Sequence, residues 1–110
     1  MDPLSQATIG AAAAQSAIDS KVAEMYAYIN TNGPEALKIQ FKTAMDAVDA
    51  QKKISADNGP ENNVAGMATA WQGLDAAIST AASTYTDPIG ERTMSTLRLE
   101  IQMLRNTGSG

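Results

Sequence analysis

The stretch VAGMATAWQGLDAAISTAASTY, residues 64–85, decides the reading of this chain. Along it Val64, Met67, Trp71, Leu74, Ile78, Ala81 and Tyr85 recur at alternating spacings of three and four. Residues so spaced share one face of an α-helix, whereas a half-buried strand needs alternation at every second position. The stretch therefore predicts a helix with Trp71, Leu74 and Ile78 at the centre of its buried face.

Working outward, the same period continues on both sides. Leu37, Phe41, Ala44, Met45 and Val48 form a stripe before it, and Met94, Leu97, Ile101 and Leu104 one after it. Earlier still, Leu4, Ala7, Ala11, Ala14, Ile18, Val22, Met25 and Ile29 give a stripe whose first half is alanine, a surface that neighbouring helices can approach closely. The expected core thus includes Trp71, Leu74, Ile78, Phe41, Leu97 and Ile101.

Prolines punctuate these stripes at Asp2-Pro3, Gly33-Pro34, Gly59-Pro60 and Asp87-Pro88. Proline suits the first helical turn, where its missing N–H has no intrahelical partner to lose, and Asp or Gly is a favoured N-cap. Asn and Gly just upstream of the internal starts can take the left-handed conformation that ends a helix. Helices are expected at about 3–30, 34–57, 60–85 and 88–105, in one helical domain over residues 1–106, with a flexible tail from Thr107 to Gly110. Segments of 18 to 28 residues span about 27 to 42 Å at 1.5 Å per residue. Joined by connections of a few residues, they predict an all-α, antiparallel, up-down-up-down four-helix bundle.

Asn32-Gly33-Pro34-Glu35 recurs as Asn58-Gly59-Pro60-Glu61, and Thr43-Ala44 with Asp49-Ala50 recurs as Thr69-Ala70 with Asp75-Ala76, all in a register of 26 residues. Duplication of a helical hairpin explains this, and so do two independent uses of one cap chemistry.

Composition narrows the function. The chain of 110 residues has neither Cys nor His, which removes disulfides, thiolate nucleophiles, the usual imidazole base and imidazole-held metals. A net charge of −4 with eight scattered Lys and Arg opposes a nucleic-acid backbone. No cationic, apolar leader opens the chain, and the Ala11 to Ala14 run is too short to span a bilayer, which leaves a cytoplasmic protein or one exported without a cleaved signal. Asp46 and Asp49 share the outer flank of the second helix with Lys42, Lys52 and Lys53 nearby, the pattern of a solvated, charge-paired face. Asp75 sits one turn after Trp71 at the edge of the stripe. Buried, it is a site of raised pKa; at the edge, it hydrogen-bonds a Ser, a Thr or an indole. Neither the carboxylates nor the six Met residues form a catalytic, metal or cofactor set, and no catalytic residue, metal ligand or cofactor is expected.

Apolar residues off the core stripe are more informative. Leu99 and Met103 point roughly 200 to 240° away from Leu97 and lie one turn apart, and Ile39 and Ile9 are out of phase with their own stripes. With Arg92 and Gln102 flanking them, Leu99 and Met103 predict a contact for another helix.

Residues Asn32 to Phe41, NGPEALKIQF, resemble the turn and second helix of type III secretion needle and inner-rod subunits, over about residues 30–54. That resemblance implies a small helical subunit that is exported without a cleaved leader and polymerises. In that family the helix after the turn nearly ends the chain, whereas here two further helix starts follow. Trp71-Gln72-Gly73 is similar to the Trp-x-Gly of small hairpin proteins exported by the type VII route, though there the motif occupies a turn and here it lies within a stripe. Together these observations predict a non-enzymatic assembly or binding protein that self-associates as a homo-oligomer or docks with a helical partner. An intracellular adaptor, chaperone or regulatory bundle is the alternative.

Overall fold

The computed structural model describes the backbone of residues 3–109 and the side chains of residues 14–106. Among the described residues there are four α-helices, α1 (Pro3–Asn32), α2 (Glu35–Asn58), α3 (Val64–Thr84) and α4 (Pro88–Ser109), one short 3-10 turn at Pro60–Asn62, and no strand. They form an all-α four-helix bundle. Cross-helix contacts have the order of antiparallel neighbours: Gln40 meets Thr80 and Gln51 meets Asn63 between α2 and α3, while Tyr26 stacks on Phe41 and Asp19 pairs with Lys52 between α1 and α2. The bundle measures 47 × 26 × 17 Å. Its radius of gyration, 14.9 Å, exceeds the about 13 Å of a compact domain near this length, because α1 runs the full length of the molecule.

Around the bundle the order is α1, α2, α3, α4, with α1 packed most extensively on α4 and α2 on α3. The α1–α2 and α3–α4 seams are thinner, which leaves α2 and α4 diagonal to each other with their outer faces pointing apart. The predicted stripes meet at the centre: Phe41, Met25, Ile29, Leu74, Met94 and Ile101 are fully buried. Trp71, Ile78 and Leu97 are buried with them. On α3 the burial is broader than the stripe, since Ala70 and Ala77 are also enclosed. Their single methyl groups let α3 sit close to two neighbours at once. Leu4, Ala7, Ile9 and Ala11 lie outside the described side chains.

Several boundaries differ from the expectation. The Asp2 cap lies outside the described residues. At α4 the cap chemistry is as read: the Gly90 N–H donates to the Asp87 carboxylate at 2.8 Å. At Gly33-Pro34, however, Pro34 is itself the cap, with φ −65° and ψ 152°, and Gly33 has no positive φ; α1 continues to Asn32. At Gly59-Pro60 the same tetrapeptide behaves otherwise. Gly59 ends α2 at φ 93°, a backbone angle that side chains resist. Pro60 then opens the 3-10 turn, and α3 begins only at Val64. Val64 is 66% exposed and so leaves the core stripe. What holds the delayed start is Asn63, whose Nδ2 donates to the Gln51 carbonyl at 3.1 Å, to Gln51 Oε1 at 3.0 Å and to Ser55 Oγ at 3.0 Å. Position 37, the counterpart of Asn63 in the repeat, is a buried Leu, so the repeat is one of sequence and helical phase without a repeat of turn geometry. Finally, α4 runs to Ser109 where a tail is expected from Thr107; no proline interrupts the helix there.

Candidate functional site

The candidate site is built on the outer face of α4. Met94, Leu97 and Ile101 commit one side of this helix to the core, and at about 100° per residue the opposite side carries Arg92, Ser95, Thr96, Leu99, Gln102 and Met103. Leu99 is 57% and Met103 60% exposed. They stand one turn apart as a ridge, and the two seams beside α4 flank that ridge.

The expected flanking residues separate. Gln102 joins Leu99 in a groove of about 480 Å³ between α3 and α4, whose walls are Ala82 and Ser83 on one helix and Ser95 and Arg98 on the other. Arg92 faces the opposite seam, a wider trough against α1 with Glu24, Tyr28 and Thr96. The short side chains of Ala82, Ser83 and Ser95, together with the thin α3–α4 seam, keep the first groove open. Ser95, Arg98, Ala82 and Ser83 were not singled out by the off-stripe apolar pattern. The spacing 95, 98, 102 on α4 carries the signal, but the α3 wall depends on how far the two helices splay.

Electrostatics set this face apart. The chain is acidic overall, yet neither Arg92 nor Arg98 has an ion-pair partner among the described residues. Of the other bases, Lys53 on α2 likewise has no ion pair among the described residues, whereas Lys21 bridges α1 to Glu100 of α4 at 2.7 Å and is held above its ordinary pKa chiefly by that contact, Lys42 pairs with Asp46, and Arg105 pairs with Asp75. Asp75 is thus an exposed carboxylate bound to a guanidinium, and not partnered by a Ser, a Thr or an indole.

The diagonal helix presents a contrasting surface. Ile39, Thr43, Asp46, Ala50, Ile54 and Asp57 recur at helical spacing on α2 and are all exposed. Asp57 has no ion pair among the described residues. One outer face of the bundle therefore carries two unpaired arginines beside its apolar ridge, and the diagonal one carries Asp46, paired with Lys42, and Asp57 beside Ile39 and Ile54.

Among the described residues no three acidic side chains gather within reach of a metal ion, and no helix is long and apolar enough to cross a membrane. Comparisons of this chain with protein-family models, with curated proteins and with solved structures find no match.

Proposed function

We propose that this chain is a non-enzymatic assembly protein whose copies join through α4 of one and α2 of the next. The observation that carries this reading is the Leu99–Met103 ridge, exposed beside an open groove and flanked by unpaired Arg92 and Arg98. An apolar helix bearing carboxylates complements it, and α2 of a second copy offers Ile39, Ile54 and Asp57. Because α2 and α4 are diagonal, such a contact is head-to-tail and leaves both complementary faces free at the two ends of any chain of copies. Head-to-tail contacts that do not close generate open filaments. A structural subunit of a bacterial secretion or filament apparatus is the class of role that fits, in line with the resemblance of residues 30–54 to needle and inner-rod subunits.

Sedimentation velocity across a concentration series tests the proposal. Wild-type protein grows beyond a dimer as concentration rises. A copy with a disabled α4 face (Leu99→Gln, Met103→Gln) and a copy with a disabled α2 face (Ile39→Gln, Ile54→Gln) each stay monomeric, and their mixture stops at a heterodimer. A wild-type protein that remains monomeric at every concentration overturns the reading.

A further inference from the structure

On the side of the bundle formed by α1, α2 and α3 lies a third concavity, remote from the α4 ridge. It holds about 210 Å³, and an apolar cavity of about 150 Å³ is enough to bind benzene. Its floor is Val22, Val48, Trp71 and Leu74, all buried, with half-buried Met45 as one wall. Its mouth lies at the thin α1–α2 seam, where Asp19, Asp49 and Lys52 stand.

The charges at this mouth do not cancel. Lys52 Nζ is 2.6 Å from Asp19 Oδ1 and completes one ion pair. Asp49 is exposed and makes no ion pair among the described residues. An apolar floor with one carboxylate at the rim that makes no close ion pair is complementary to a molecule with an apolar body and one positive end. An anionic ligand meets Asp49 unfavourably, and a neutral one leaves it unused. We propose that this cavity is a binding site for a small primary amine carried on a single aromatic ring or a body of that size, with the ring against Trp71 and Leu74 and the ammonium group at Asp49. The site shares α2 with the assembly proposed above but none of the residues named for that contact, since its lining includes neither Leu99 and Met103 of α4 nor Ile39, Ile54 and Asp57 of α2.

Trp71 is the sole tryptophan and lines the cavity, so its emission reports occupancy directly. The test titrates the protein with 2-phenylethylamine, 2-phenylethanol and 3-phenylpropionate, following Trp71 emission and heat. The amine is expected to saturate with a midpoint at or below about 1 mM, at least about threefold tighter than the alcohol, and the carboxylate to give no saturable response. Asp49→Asn, a surface change, should erase the preference of amine over alcohol while leaving the alcohol's midpoint in place. Met45→Phe, which fills the wall, should abolish the response to both; if circular dichroism shows that this variant does not fold, the Asp49→Asn comparison decides alone. Absence of a saturable response to the amine, or an amine preference that survives Asp49→Asn, overturns the proposal.

Discussion

The guanidinium carbon of Arg105 lies 4.7 Å from the ring centroid of Trp71, while the same guanidinium pairs with Asp75 one turn further along α3. One residue of α4 therefore ties together an aromatic face and a carboxylate on α3, along a seam that is otherwise thin. A partly exposed cation over an indole contributes about 0.5 to 1 kcal/mol, and an ion pair this exposed adds about 0.2 to 1 kcal/mol. Arg105→Met, which keeps an apolar stem, should cost about 1 kcal/mol and change the Trp71 emission, read by urea titration. Asp75→Asn alone should cost less. In a double-mutant cycle the two changes should fall short of additivity, because they share the guanidinium.

Trp71 itself belongs to the core, and losing it is a different order of event. Truncating a buried large aromatic costs about 3 to 5 kcal/mol, against a total of about 5 to 15 kcal/mol for a domain. Trp71→Ala should leave the protein largely unfolded at 37 °C. A urea midpoint displaced by only a few tenths molar would place Trp71 outside the stabilising core.

The contrast between these two residues shows what was legible in the sequence. Trp71 is one of seven positions at unbroken three-and-four spacing, and periodicity of that length fixes a helix and its buried face with no knowledge of neighbours. Arg105 is one charged residue near the end of α4, and its role depends on which helix lies opposite. The turns divide the same way. Asp87-Pro88 acts locally, through a side chain three residues from the N–H it accepts, and reads directly. Gly59-Pro60 depends on Asn63 reaching back across the turn to Gln51 and Ser55, so an identical tetrapeptide at Gly33-Pro34 gave no guide to it. Leu99 and Met103 announce an outer ridge by phase alone, but the separation of Arg92 from Gln102 follows from helix splay, which no spacing encodes.

Two glycines of α3 should respond in opposite directions. Glycine in a helix interior costs about 0.5 to 1 kcal/mol relative to alanine. A methyl at Gly73 meets nothing within 4 Å, so Gly73→Ala should stabilise by about that amount. A methyl at Gly66 overlaps the Asn63 Oδ1 and Gln51 Oε1 atoms, which the amide cluster holds in place. Disrupting that half-buried cluster costs about 1 to 3 kcal/mol, more than the propensity gain. Gly66→Ala should lower the melting temperature while Gly73→Ala raises it, measured by circular dichroism.

Tyr85 sets an alkaline limit. Its hydroxyl is buried with no hydrogen-bond partner among the described residues, and its ring meets Tyr28 edge-on at 5.3 Å. Burial chiefly, then Tyr28 and Asp87, raises its pKa above the usual value of 10.0. Folding thus favours the protonated form. The associated stability is fully present below the unfolded pKa and is lost as pH rises through the folded one. Stability should fall above about pH 10, and Tyr85→Phe should reduce that fall. At neutral pH the same variant removes an unsatisfied buried hydroxyl and should be equal to wild type or more stable by about 1 kcal/mol. Urea titrations of both proteins at pH 7 and pH 10.5 measure both effects; a variant less stable at pH 7 would mean that the hydroxyl is satisfied.

The assembly reading makes its sharpest demand on residues two positions apart in α4. Leu97 is buried against the core, and Leu99 stands outside it. Replacing a buried leucine by glutamine loses its apolar burial and strands an amide, a cost of about 3 kcal/mol or more. Leu97→Gln should therefore lower the melting temperature severely. The double change Leu99→Gln with Met103→Gln falls on side chains that both stand mostly exposed, and surface substitutions of this kind stay within about ±0.5 kcal/mol each. Its helical circular dichroism and melting temperature at low concentration should remain near wild type. Burying the two side chains against another helix contributes roughly 3 to 5 kcal/mol before ordering costs, enough to decide association at micromolar concentration. The double variant should accordingly fold as wild type and sediment as a monomer where wild type grows. If it unfolds instead, the outer side of α4 is part of the monomer's own core, and the diagonal placement of two complementary outer faces loses its basis.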